Sequence, residues 1–251
     1  MMPVIFVGHG SPMNAIEENE YTQGWRDIAA SIPKPDVILS VSAHWETRGT
    51  KVCVLENPET IHDFYGFPKE LFDMEYPAKG SPLFAAKTIN LLGDGAADKT
   101  WGLDHGTWSV LSAMYPAADI PVFQLSIDGQ ASPVELFEIG KKLKPLREEG
   151  VLIFGSGNVV HNLGMVDFYR KGGYDWAESF DAEIKDAILK RGFENVLQYR
   201  NLGSARSAVP TAEHFNPLLY VLGAADSADK ITVYNNSCTL GSLSMTSYVF
   251  S

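Results

Sequence analysis

Residues 4–12 read VIFVGHGSP. Val4, Ile5, Phe6 and Val7 follow one another with no polar alternation. A strand with that pattern is covered on both faces, the usual condition of a strand inside a parallel sheet. The run stops at Gly8, and His9 stands between Gly8 and Gly10. A turn after the strand accounts for the glycines. The histidine between them is open to three uses: a hydrogen-bonded turn residue, a metal ligand or an acid/base group. Whether the rest of the chain repeats the pattern decides among them.

It does repeat. DVILSVSA (36–43), PVFQLSI (121–127) and VLIFGS (151–156) are further near-continuous apolar runs. KVCVLE (51–56) and KITVYN (230–235) alternate more and read as edge strands, and SLSMTSYVF (242–250) reads as a final strand. Helical patterns lie between them. SPLFAAKTINLL (81–92) has Ser81 at an N-cap position and Pro82 at the first helical position. TWSVLSAMY (107–115) is amphipathic, and SPVELFEIGKKLKPL (132–146) places Glu135 for a capping box. YDWAESFDAEIKDAILKR (174–191) is the longest candidate. AEHFNPLLYVLGAA (212–225) is helical in composition but contains Pro217. Strands alternating with helices predict an α/β fold, with a central mainly parallel or mixed sheet flanked by helices. With no linker, repeat or shift in composition, residues 1–251 read as a single domain.

Composition narrows the function. The 251 residues are 45% hydrophobic and 20% charged, enough for a sizeable core. A net charge of -11 argues against nucleic acid and against anionic membranes as partners. No apolar run reaches the length of a membrane span, and the N-terminal stretch lacks the basic region of a signal peptide. Cys53 and Cys238 form no CxxC pair, so reduced, inert thiols in a cytoplasmic protein are expected.

The six histidines carry the chemistry. His9 follows the first strand, His44 follows DVILSVSA, and His161 comes shortly after VLIFGS. Ligands in open α/β sheets bind at the carboxyl ends of strands. A lone histidine at such an edge is more often a turn residue than a ligand. Three at equivalent edges, with Gly8, Gly10, Ser42, Ala43, Gly155 and Gly157 leaving room beside them, point to a shared metal site there. Imidazole suits Zn, Fe, Cu and Ni, and three ligands leave the open positions that catalysis needs. GHGSP and FGSGN match neither phosphate-loop pattern, and the GxSxG elbow of serine hydrolases is absent.

At these residues the chain resembles a known family. GHGSPMNA (8–15), SAHWET (42–47), IHDFYGFP (61–68), GLDHGTW (102–108), QLSID (124–128), GSGNVVHNL (155–163) and TAEHFNPLLY (211–220) are similar to the class III extradiol ring-cleavage dioxygenases, in their 4,5-DOPA-extradiol-dioxygenase-like branch. The resemblance runs in order from residue 4 to about residue 220. It implies a mononuclear non-haem metal site. By motif, His9 and His44 match two ligands and His214 the third. His161 matches a residue described either as a further ligand or as the acid/base group, and His105 a second catalytic histidine facing substrate. The implied metal is Fe(II), and the implied partners are a small catechol and O2. Relatives that cleave protocatechuate use a glutamate as third ligand. Here the segment offers His214 with Glu213 beside it, and an all-histidine set also holds Zn(II).

The resemblance leaves the catechol open among L-DOPA, caffeate and protocatechuate, and it is compatible with a homo-oligomer. Two other readings share the scaffold. One is a zinc-dependent hydrolase or other non-redox metalloenzyme. The other is a non-catalytic metal- or small-molecule-binding protein, which would need neither His105 nor His161. In the IHDFYGFP segment, Phe64, Tyr65 and Phe67 are candidates for an aromatic wall or an ordinary loop, and His62 reads as a loop residue. Trp45 reads as packing beside the site. Arg206 is open to a substrate carboxylate or to the surface.

Overall fold

The computed structural model describes residues 1–251. Ten strands form two sheets. They are β1 (Val4–Gly8), β2 (Val37–Thr47), β3 (Lys51–Cys53), β4 (Ala96–Asp98), β5 (Val122–Asp128), β6 (Val151–Gly157), β7 (Ile231–Tyr234), β8 (Cys238–Thr239), β9 (Leu243–Ser244) and β10 (Ser247–Phe250). The main sheet runs β4-β3-β5-β2-β6-β1-β10-β7, and β8 pairs only with β9. Its four central strands, β5, β2, β6 and β1, are mutually parallel. The C-terminal β10 is antiparallel to both β1 and β7, and β3 is antiparallel to β5. The sheet is therefore mixed, and β7 is an edge strand as expected. β3 is not, because the unpredicted β4 lies outside it.

The apolar runs are double-faced for the reason the sequence gives. Val4 and Phe6 of β1 join one core with Leu39, Val41, Val151 and Ile153. Ile5 and Val7 join the opposite core with Ile38, Leu152 and Phe154. Period-two alternation sends successive side chains to opposite faces, and both faces are apolar because helices cover both. On the first face lie α3 (Pro82–Leu92), α5 (Pro133–Leu143), α6 (Asp175–Leu189) and α9 (Asn216–Ala224). On the second lie α1 (Glu20–Ser31), the short α2 (Lys69–Phe72) and α4 (His105–Met114). Two more short helices, α7 (Phe193–Leu197) and α8 (Ala205–Ala208), complete the set.

Local chemistry sets the helix starts. Ser132 and Glu135 close the expected capping box on α5. Ser81 stands at the N-cap of α3 but makes no side-chain cap bond. Pro217 does not interrupt α9; it occupies the first turn, where a missing N–H costs nothing, so the helix begins at Asn216 and His214 is left in the loop before it. α1 carries an Asn19–Thr22 capping box that the sequence reading missed. Only Thr22, Trp25 and Ile28 of that helix are buried, too sparse a stripe to stand out. The final predicted strand is divided into β9 and β10.

Candidate metal centre

Five of the six histidines meet in one cavity of about 500 Å³ beyond the carboxyl ends of the central strands. His9 leaves β1 directly, and its backbone N–H reaches the Gly157 carbonyl at 3.0 Å. His44 lies inside β2, not after it. There the ladder to β5 steps from Val41↔Leu125 to Glu46↔Ile127, so the intervening residues bulge out of register and His44 is redirected. His105 opens α4, and His161 follows β6 and bridges to Leu243. His214 arrives on the loop before α9. Its carbonyl accepts the Asn158 N–H at 2.8 Å, and a Cβ on Gly157 would stand 2.1 Å from that oxygen, so only glycine admits the loop. Gly106 does the same for α4: a Cβ there would stand 2.8 Å from His44 Cδ2.

The hydrogen bonds fix which ring nitrogens are free. His9 Nδ1 is 2.9 Å from Ser156 Oγ, and that hydroxyl donates to the Gly106 carbonyl. The serine proton is thus committed, so His9 must donate from Nδ1 and keep its lone pair on Nε2. His44 Nδ1 lies 3.3 Å from Asp63 Oδ2, and His214 Nδ1 lies 3.1 Å from Glu213 Oε1. A carboxylate accepts only, so His214 carries its proton on Nδ1, and the negative Asp63 beside His44 favours the same tautomer there although that contact is off the line of a hydrogen bond. All three therefore present a bare Nε2. An oxygen on Nδ1 and a free Nε2 is the arrangement of metal-binding histidines generally.

The ring positions agree. His44 Nε2 and His9 Nε2 are 3.2 Å apart. Two nitrogens at about 2.0–2.1 Å from one Zn-sized ion, across a near-tetrahedral angle, have about that separation. Ring centroids of His9 and His214 are 5.2 Å apart, and those of His44 and His214 5.0 Å. The ligand-capable atoms of His9, His44 and His105 lie within 4.8 Å of one another, as do those of His161, Glu213 and His214. The imidazoles are also neutral. Burial, reinforced by the neighbouring histidines, holds His9 and His214 well below the ordinary value. Burial and His105 bring His44 down to about 3 against the opposing pull of Asp63. Burial brings His161 down to about 4. The residues present fit a divalent transition-metal ion.

His161 and His105 are held differently. The His161 ring stacks on His214 with centroids 3.4 Å apart and planes 6° apart, and no protein group bonds its nitrogens. His105 Nδ1 is 3.0 Å from Asp63 Oδ1 but off the line of a hydrogen bond, while the same oxygen accepts the His105 backbone N–H at 2.9 Å. Asp63 thus touches both His44 and His105. Burial raises its pKa, but the contacts with those two histidines outweigh this and hold it below the usual carboxylate value. Below α4, the buried Asp104 caps the helix, accepting Thr107 N–H at 3.2 Å, Ser42 Oγ–H at 2.6 Å and Gln124 Nε2–H at 2.7 Å. Burial and nearby Asp63 raise its pKa.

The other sequence candidates divide cleanly. Phe64, Tyr65 and Phe67 line the cavity, and Phe64 and Phe67 also pack on the core behind it, so the segment is both wall and core-covering loop. His62 does not reach it: Nε2 bonds the Met74 carbonyl at 2.9 Å, as a loop residue. Trp45 stacks on Trp101 at 5.5 Å. Arg206 is exposed and does not line the cavity. Glu213 faces Nδ1 of His214, on the side away from Nε2, so it orients that ring. Asp63 and Ser156 were not singled out as partners of the histidines. Asp63 does lie in the IHDFYGFP block, one residue from His62, which is the signal that was available. No helix is long and apolar enough to cross a membrane.

Comparison with known proteins gives a single answer. Residues 3–251 match the family described as the catalytic LigB subunit of aromatic ring-opening dioxygenase. An Escherichia coli (strain K12) protein named 4,5-DOPA dioxygenase extradiol is 47% identical, over 98% of this chain and 93% of its own. A Beta vulgaris protein of the same name is 39% identical, over 98% and 95%. The crystal structure of an uncharacterised protein from Escherichia coli K12 superposes with a TM-score of 0.88 at 41% identity, covering all of both chains. With full-length matches in sequence and in structure, and with five histidines gathered at the sheet edge, this chain belongs to the LigB family of aromatic ring-opening dioxygenases.

Proposed function

We propose that this extradiol dioxygenase takes a catechol such as L-DOPA and opens its ring beside the diol, with Fe(II) held by Nε2 of His9, His44 and His214. The observation that carries the reading is that the His9, His44 and His214 rings lie within 5.2 Å of one another, centroid to centroid, each with its Nδ1 facing an oxygen. The names of the relatives support L-DOPA as the first catechol to try. Bound there, Fe(II) would make the catechol hydroxyls more acidic and supply the redox chemistry that couples the ring to O2.

The remaining work falls to the chain. His161 takes a proton from a catechol hydroxyl on a ring nitrogen that no protein group holds, and later returns it. Burial lowers its pKa to about 4, so it stands unprotonated at neutral pH but is a weak base, and it would accept from a hydroxyl that bound Fe(II) had made more acidic. His105, set by Asp63 at the start of α4, donates from its ring to an oxygen that gains charge during the reaction. Phe64, Tyr65 and Phe67 form one side of the cavity and offer an apolar surface to a planar ring. His161 is thereby a proton carrier in this scheme, though its stacking on His214 keeps it beside the metal ligands. A cytoplasmic setting belongs to the same proposal, supported by the free, buried Cys53 and Cys238.

The test is oxygen uptake. Metal-free protein is reconstituted anaerobically with Fe(II), or separately with Zn(II), and mixed with L-DOPA and other catechols in oxygenated buffer. Uptake with Fe(II) alone, matched by the absorbance of a ring-opened product, is the expected result. The all-histidine donor set equally accommodates Zn(II), as in a hydrolase. Protein that retains its iron but consumes no oxygen with any catechol would favour that second reading.

A further inference from the structure

The walls of the cavity sort its contents by charge. Its deep part is formed by buried His9, His105 and His214. Its outer part is formed by Phe64, Tyr65, Phe67, Leu163, Val166 and Phe168. No lysine or arginine side chain lines it. Asp63 lies in the wall and Glu213 stands behind His214, so the fixed charges nearest the site are negative. Arg206, which the sequence left open between a substrate carboxylate and the surface, is exposed and outside the cavity. Three of the outer residues are conspicuously open: Leu163 is 66% exposed, Phe168 80% and Tyr65 92%. Large apolar side chains left this open at a cavity mouth are a surface for something apolar.

From this we infer that the site discriminates against a carboxylate attached directly to the catechol ring and favours uncharged, apolar substituents, with Leu163 and Phe168 as specificity-determining residues. The inference rests on the reading of the cavity as a catechol site. A ring with its hydroxyls among the histidines carries any directly attached group into the apolar outer wall. A carboxylate there loses water and finds no cation in exchange, which disfavours the charged form. A charged group on a longer arm, such as the amino-acid end of L-DOPA, reaches past the exposed mouth into solvent and avoids this loss. The polar end of such a substrate is tolerated by water and is not gripped by the protein.

A matched pair tests this: protocatechuate against its methyl ester. The two differ in charge and, since an ester withdraws electrons from the ring more than a carboxylate does, in reactivity, so the anaerobic binding comparison decides between charge and electronics. Oxygen uptake is measured with Fe(II)-loaded protein in about 1 M salt, where a Debye length of ~3 Å removes long-range repulsion by the acidic chain. The ester is expected to show at least about a tenfold higher kcat/KM, carried mainly by KM, as befits loss of binding. Anaerobic binding of both compounds to Zn(II)-loaded protein should show the same order without turnover. Leu163→Arg and Phe168→Arg each alter an exposed side chain and should narrow the ratio about fivefold, since a guanidinium pairs with a carboxylate. Equal efficiencies for acid and ester in the unaltered protein would overturn the inference while leaving the dioxygenase reading intact. A ratio unmoved by either arginine would overturn the assignment of the substituent to this wall. Failure of L-DOPA, unsubstituted catechol and the ester alike to consume oxygen would remove the catechol reading, and this inference with it, whereas uptake with L-DOPA but with neither of the others would overturn the inference alone.

Discussion

Asp63 serves two rings with one carboxylate. Oδ2 faces Nδ1 of His44 and Oδ1 faces both the ring and the backbone N–H of His105. It links a proposed metal ligand to a proposed catalytic histidine. Asp63→Asn keeps the shape but removes the charge that favours a protonated Nδ1 on His44 and that accepts the His105 backbone N–H at the start of α4. Loss of such an orienting partner typically lowers metal affinity or activity 10- to 100-fold. Asp63→Asn is therefore expected to weaken metal retention about 10- to 100-fold against a competing chelator, and to lower kcat/KM over a comparable range. Full retention with unchanged kcat/KM would contradict the assignment. At this scale the sequence was half legible. The histidines announced themselves because imidazole is rare and chemically specific, and strand ends placed His9 and His161. Their oxygen partners did not, because Ser156, Asp63 and Glu213 are common residue types whose partnership exists only in three dimensions.

Helix α4 shows how an element brings a residue to its place. Its N-terminus rests on polar side chains that project from otherwise apolar strands. Ser42 and Gln124 bond Asp104, and Ser40 Oγ meets Thr107 Oγ1 at 2.7 Å. Asp104 is at once the cap of the helix and its anchor to β2 and β5. Asp104→Ala should cost stability through the lost cap, about 0.5–2 kcal/mol, plus the partners left unsatisfied. It should also lower turnover, because His105 is the next residue. Ser132→Ala removes the cap of α5, remote from the cavity, and should cost a similar amount of stability in urea unfolding with no change in kcat. Equal effects of the two on kcat would break the link between cap and site. The elements themselves were legible where apolar periodicity was dense, as in β1, β6 and α6. Where it was sparse or punctuated they were not. α1 was passed over, and Pro217 looked like an interruption until it proved to be the first turn of α9. The extent of β2 was hidden by a register shift that follows from pairing with β5 and has no local signature.

The whole molecule records the histidine cluster in its response to acid. In the unfolded chain these groups titrate near their ordinary 6.5, while in the fold His161 falls to about 4 and His44 to about 3, chiefly through burial. Between those values the unfolded chain binds protons that the folded one refuses. Stability is present above pH 6.5 and is lost as pH falls toward about 4. Urea midpoints of metal-free protein should therefore decline across that interval. The carboxylates Asp98 and Asp226 are held at about 2 and contribute to acid loss only below the ordinary carboxylate range. Burial raises the pKa of Asp104 and Asp181, which works the other way, so the histidine share is read as the difference from a His161→Gln variant. Identical slopes of the two proteins from pH 6.5 to about 4 would show that His161 does not contribute to the decline. The α/β class and the mixed sheet were readable from the order of elements. The strand order was not, since β10 closes the sheet between β1 and β7 through contacts that span nearly the full chain.

The three proposed ligands stand at positions 9, 44 and 214, on three separate elements. No two of them are close enough in sequence to chelate an ion before the sheet exists. With those ligands the newly made chain would have no local chelate, and an ion would enter a finished cavity. On that assignment the choice of metal would rest with the ions the folded protein meets, and the metal content of protein reconstituted in defined Fe(II)/Zn(II) mixtures should follow the ratio supplied.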